Sequence, residues 1–325
     1  HRPRGRPPVG PGDLTTPTSP DPAGTLFPAE ATGDEHVPAR SVPDRSVRAR
    51  SVEARSSDQR APVPAGARCA SVLVDVAAVQ RLYDYSVPPA MADQVEVGAM
   101  VRVPFHGRRV AGWVLDPDSE PPPGVRLSPI AKVSGVGPDA DVIDLCRWAA
   151  WRWAGRLPVL MRVGSPDRML RRRPPLRPRP STAGDADRTA AGALAQGGGV
   201  TVLQVPPDGD PTSVAVAAAR LGQALIVHPS VVAADRIARS LRRTGAAVGR
   251  WPQDFAAAAS GATVVGGRAA VFAPLPALSA VVVFDEDDPG LQNESSPTWN
   301  AREVAVERAR RAGVPCLLVS PCPSV

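Results

Sequence analysis

The chain has 325 residues, a formal charge of +6, 39 Pro and 28 Gly, and only 4% aromatic residues. That length allows two modest domains with real cores, while so much Pro and Gly beside so few rings implies that a good part stays unpacked. The positive balance favours an acidic partner such as nucleic acid; an arginine-favouring codon bias would produce the same balance, since Lys132 is the single lysine. Cys69, Cys146, Cys316 and Cys322 show no CxxC spacing and have no neighbouring histidine, so no zinc site is expected within this chain. No run of about 18 apolar residues occurs, and no apolar segment follows the basic start at His1–Arg6. A cytoplasmic protein without a membrane partner is expected.

Residues 1–66 are rich in Pro, Arg, Ser and Asp and carry no hydrophobic period, so a disordered tail is expected. Its Arg-Ser-Val repeats at 40–42, 45–47 and 50–52 suit either loose phosphate contact or plain solvation. Residues 67–168 read as a small all-β module with trailing helices. Ser71–Val76 is β-branched, Tyr83–Val87 alternates until Pro88-Pro89, and Met100–Phe105 alternates until His106-Gly107 turns it into Arg108–Val114. Ser128–Val133 returns as a further strand. Such runs, punctuated by Gly and Pro, predict an antiparallel barrel or curled sheet with a hairpin at Phe105–Arg108. The polar face keeps Arg81, Tyr83, Tyr85, Arg102, Arg108 and Arg109, with Asp84 the single acid among them; cations for phosphate and flat rings for bases suit a nucleic-acid surface. From Asp141, apolar residues fall at helical spacing with Asp139 or Asp141 as N-cap. Trp148, Trp151 and Trp153 on this helix suit core packing or base stacking. Leu157–Val163 predicts a further short helix, ended by Gly164 and Pro166.

Residues 169–199 form an Arg/Pro-rich linker, with Arg171–Pro180 expected to run extended. Beyond it the grammar changes. Short apolar strands at Val200–Gln204, Ala224–His228, Thr263–Gly266, Ala280–Phe284 and Pro315–Val319 alternate with helices at Ser213–Arg220, Val231–Thr244 and Ala301–Ala312. Residues 200–325 are therefore expected to be an α/β domain with a parallel sheet, binding ligands at the carboxyl ends of its strands. The first such loop, Val205–Thr212, stands where a P-loop would. It fails as one: Pro206, Pro207 and Pro211 remove N–H donors, Asp208 and Asp210 repel phosphate, and no lysine follows Lys132.

From Arg68 onward the chain resembles the primosomal replication-restart family PriA (primosomal protein N′). The resemblance rests on Tyr83–Pro88, Gly98–Phe105, Gly112-Trp113-Val114, Gly266–Pro274, Ala301-Arg302-Glu303 and Ser320–Ser324, in that order and spacing. It implies a domain that captures the 3′ end of a nascent strand at a stalled fork, with Tyr83, Asp84, Tyr85, Gly98, Arg102 and Lys132 as DNA-binding residues. It further implies a second domain like the first lobe of a superfamily 2 helicase, ATP with Mg²⁺ as cofactors, zinc in a more C-terminal region, and forked DNA and primosome proteins as partners. The departures are specific. Pro211, followed by Thr212, stands where the P-loop lysine belongs, after Gly209. Phe284 and Asp285 fall where the Mg²⁺-binding Asp and catalytic Glu belong, so the run Asp285-Glu286-Asp287-Asp288 looks like a DExH box displaced by one. A proline cannot neutralise a γ-phosphate and a phenylalanine cannot hold Mg²⁺. The chain also stops before the family's second lobe and zinc-binding cysteines, so no catalytic residue and no cofactor is expected here.

A carboxylate in a basic groove repels a continuous phosphate backbone. It becomes favourable where the strand ends and a 3′-hydroxyl or base amine offers a donor. Tyr83 and Tyr85 flank Asp84 along the strand, so one of the two is expected to stack on the base that Asp84 approaches. The alternative reading makes Asp84 an Asx residue stabilising a turn; Gly98 serves a tight turn in either case. Three functions result: a restart and primosome-assembly factor without helicase turnover, a working ATP-dependent 3′→5′ helicase, or a nucleotide-independent scaffold with an acidic docking face at Asp208, Asp210 and Asp285–Asp288.

Overall fold

The computed structural model describes residues 68–324 apart from 77, 121–124 and 178–181. The tail expected over residues 1–66 lies outside the described residues. The described residues belong to one compact unit.

Five strands build the first sheet: β1 (Cys69–Val74), β2 (Leu82–Ser86), β3 (Met100–Phe105), β4 (Arg108–Asp116) and β5 (Lys132–Gly135). Their order is β2-β1-β4-β3-β5, and the pairings are antiparallel. The sheet curls until Ser86 bridges Pro129, just ahead of β5. Phe105 pairs with Arg108 across a two-residue turn in which His106 and Gly107 take φ of 47° and 75°. Positive φ at both positions matches the right-handed twist of the flanking strands, as in a type I′ hairpin. Alternation sends Ala70, Val72, Val74, Val101, Val103 and Tyr85 into the curl, where they form its core.

Helix α1 (Ala140–Arg152) starts at Asp139, whose side chain accepts from the Val142 N–H, and α2 (Leu157–Val163) follows. Trp148 and Trp153 pack edge-to-face at 5.5 Å, whereas Trp151 is 77% exposed. Packing thus accounts for two of the three tryptophans. The segment expected as a linker carries helix α3 (Arg188–Ala195) and touches the folded body: the Val136 N–H donates to the Leu170 carbonyl, and the Arg177 N–H to that of Ser260.

The second sheet holds six parallel strands in the order β6-β11-β10-β7-β9-β8. They are β6 (Gly199–Gln204), β7 (Gln223–Val227), β8 (Val248–Trp251), β9 (Thr263–Gly266), β10 (Leu278–Phe284) and β11 (Pro315–Ser320). Helices α4 (Pro211–Leu221), α5 (Val231–Arg243), α6 (Phe255–Ala259) and α7 (Ala301–Ala312) connect them. One face packs Ile226, Val282 and Leu317 under α3, α4 and α5. The other packs Leu225, Val281 and Val283 with α1, α2 and α7, and this same core takes in Leu73, Trp113 and Leu115 of the first sheet. Strands β7, β9 and β10 are buried on both faces, which is why they read as unbroken apolar runs.

Candidate nucleic-acid interface

The free edge of β2 forms one wall of a groove of about 400 Å³, closed on its other sides by Pro104–His106 and the stretch Val125–Ser128. Period-two alternation turns Tyr83 and Tyr85 to the same face and Asp84 to the opposite one. Tyr85 is buried, and its hydroxyl donates to the Pro104 carbonyl at 3.1 Å. Burial, with Tyr83 adding to it, pushes its pKa to about 12. Tyr83 is half-buried and stands edge-on to Phe105 at 5.1 Å, with the Arg81 guanidinium 4.4 Å over its ring. His106 packs edge-on against Phe105 at 4.4 Å. The expectation that either tyrosine could stack on a base beside Asp84 is corrected: Tyr85 is committed to the core, and the side chains of Tyr83 and Asp84 leave the strand on opposite faces.

Asp84 is not a turn residue. It sits in the middle of β2, directly opposite Ser71 of β1. Its Oδ1 accepts from Ser71 Oγ at 2.5 Å and from Ser119 Oγ at 3.1 Å. The Asx reading is therefore overturned. The serines escaped sequence reasoning because only the β1–β2 register brings Ser71 to Asp84; a β-branched strand with one hydroxyl carries no signal of its own.

The remaining expected residues lie outside this groove's lining. Gly98 packs against the Pro138 carbonyl at the entry to β3, with φ of 80°. Arg102 of β3 pairs with Lys132 of β5, and both side chains are exposed. They form a separate basic pair on the neighbouring strands.

A second cavity, of about 230 Å³, opens at the carboxyl ends of β6, β7, β10 and β11, where a parallel sheet places its ligands. Its floor is the loop with Pro206, Pro207 and Gly209, ending at Asp210, which caps α4 by accepting from the Thr212 N–H at 2.8 Å. Pro211 takes the first helical position, where no N–H is needed. His228 Nδ1 accepts from the Ser230 N–H at 3.0 Å, which leaves Nε2 to carry the hydrogen toward Asp285 Oδ2, 3.4 Å away. Burial lowers the His228 pKa, and Asp285 and Asp288 only partly oppose it. Phe284 stacks on the His228 ring at 5.9 Å, and Asp285 adopts φ of 45°. Among the described residues no arginine or lysine lines this cavity, whereas Asp187, Asp210 and Asp285 do.

The rest of the acidic run turns away. Glu286 is buried, accepting from Arg302 at 2.6 Å, from the Ser324 N–H at 2.6 Å and from its hydroxyl at 3.0 Å. Burial alone would raise its pKa, but these donors from Ser324 and Arg302 hold it below the usual carboxylate range. Asp287 accepts from Ser320 and Asp288 from the Gly290 N–H. Among the described residues no three His, Cys, Asp or Glu side chains gather as a metal site, and no helix is long and apolar enough to cross a membrane.

The family model for the PriA 3′DNA-binding domain (3′BD) matches residues 71–166. The chain is 30% identical over 288 residues to the probable replication restart protein PriA of Mycobacterium tuberculosis, covering 76% of this chain and 43% of that protein. It is 28% identical over 284 residues to the probable replication restart protein PriA of Mycobacterium leprae, with the same coverage of 76% and 43%. The replication restart protein PriA of Bacillus subtilis matches at 36% over 62 residues, 19% of this chain and 8% of that protein. The chain thus spans under half the length of the mycobacterial relatives, at 43%.

Proposed function

We infer, from a chain that is PriA-like and matches the 3′DNA-binding domain over residues 71–166, that its antiparallel module binds DNA in replication restart and captures the 3′ end of a strand. The observation that carries this reading is Asp84: one acid on the wall of a groove that Arg81 and Arg126 also line. Phosphate along a continuous strand is repelled by that carboxylate, whereas a terminal hydroxyl donates to it. Arg102 with Lys132 holds phosphates of the strand leading to it. In this reading the partners are forked DNA and the replication proteins assembling on it, in the cytoplasm.

The α/β domain stands where a helicase lobe would, without turnover of ATP. Among the described residues its cavity offers three carboxylates and no arginine or lysine where phosphates need cations. Glu286, Asp287 and Asp288 spend acceptor capacity on internal donors, which weighs against an acidic docking face.

Binding of the full chain to forks ending in 3′-hydroxyl or 3′-phosphate tests the assignment. Asp84→Ala is expected to weaken binding to the hydroxyl-ended fork by about tenfold, the worth of one charge-assisted hydrogen bond, and to weaken the phosphate-ended fork less. Equal loss on both would make Asp84 a structural residue.

A further inference from the structure

Two serines hold Asp84 through a single carboxylate oxygen. Ser71 reaches it as its direct cross-strand partner. Ser119 arrives from the turn after β4, which is itself tied to the sheet by the Ser119 N–H donating to the Cys69 carbonyl at 3.1 Å. Both hydroxyls donate to the same atom, Oδ1, at 2.5 and 3.1 Å. A serine hydroxyl has a single hydrogen, so both are spent there. Both serine donors thus converge on one of the two carboxylate oxygens.

The two carboxylate oxygens are therefore not equivalent. The last torsion of an aspartate is broad and intrinsically loose; two donors converging on Oδ1, one from β1 and one from the turn after β4, remove that freedom. We propose that Ser71 and Ser119 are positioning residues that lock the Asp84 carboxylate so that Oδ2 alone meets the strand terminus, making the groove selective for an end with one hydroxyl donor. This rests on the assignment of Asp84 to the 3′ end. The chemistry sets the selectivity. A 3′-hydroxyl presents one hydrogen to one acceptor. A 3′-phosphate presents only acceptors and negative charge to the same oxygen and is turned away. A 3′-deoxy end leaves Oδ2 unpaired against a C–H. With the serines gone the carboxylate swings, and the preference for the hydroxyl loosens even though the charge remains.

The test compares the affinity of the full chain for three forks differing only at the terminus: 3′-hydroxyl, 3′-deoxy and 3′-phosphate. The quantity read is the ratio of affinities, which a general loss of structure would not move. Ser71→Ala/Ser119→Ala is expected to reduce the hydroxyl-over-phosphate and hydroxyl-over-deoxy ratios by about three- to tenfold, the range of a weakened hydrogen bond to a charged group. Ser71→Thr/Ser119→Thr, which keeps both hydroxyls, is expected to restore most of the preference. If the double alanine variant fails to fold, Ser119→Ala alone reads the same ratios, with about a threefold fall expected. Unchanged ratios in the alanine variants, with Asp84→Ala losing them, would overturn the positioning role and leave the 3′-end assignment standing. Unchanged ratios in Asp84→Ala itself would remove that assignment and this one together.

Discussion

Gly98 shows what a single residue decides. At φ of 80°, any Cβ added to it would lie 1.8 Å from the Pro138 carbonyl oxygen. Both the backbone conformation and the close approach exclude a side chain. Gly98→Ala is expected to destabilise the fold by about 2 kcal/mol or more, read as a lower thermal midpoint. His228 sets a second residue-scale expectation. Its folded pKa lies below the ordinary 6.5 because burial disfavours the charged ring. The unfolded chain therefore binds more protons as pH falls past that value, so the stability contributed by neutral His228 is present above it and is lost on acidification. Denaturant midpoints measured from pH 7 down to about pH 5 should fall, and His228→Gln should flatten that decline.

Among the elements, α7 has the bounds expected for it, Ala301–Ala312. Asn300 accepts from the N–H groups of Arg302 and Glu303, and Gly313 closes the helix at φ of 66°, the pairing of polar N-cap and left-handed glycine that sequence rules anticipate. Its buried arginine was not anticipated. Arg308 donates to the carbonyls of Val271 and Ala273 at 2.5 and 2.6 Å, and burial draws its pKa down to about 10. Those carbonyls end the 3-10 turn Arg268–Phe272, so α7 and that turn are joined by one guanidinium. Arg308→Leu leaves both acceptors without these donors and is expected to cost about 2–4 kcal/mol, seen as a lower urea midpoint with an unchanged slope. Strand β8 and helix α6 escaped prediction for a plain reason: at four and five residues, neither is long enough to display a period.

Over the whole molecule, one apolar core runs from Leu73 and Trp113 of the curled sheet through α1 and α2 to Val281 and Val283 of the parallel sheet. The Trp113 indole N–H donates to Ser165 Oγ at 2.9 Å within that junction. The cavity at the strand ends belongs to the same body, and its carboxylates set the expectation for turnover: forked DNA should not stimulate ATP hydrolysis, measured as release of labelled phosphate. Local order was written in the chain by itself. The turn at His106-Gly107, the caps at Asp139 and Asn300, and the alternation of β3 and β4 depend on neighbours a few residues away, so short-range sterics and hydrogen bonding determine them. The surroundings of Asp84 were decided only by the tertiary structure. Its donors lie 13 and 35 residues away, and a shift of one residue in the β1–β2 register would turn Ser71 to the other face. Register follows from the burial of every side chain on the sheet at once, and no single stretch of sequence contains that sum.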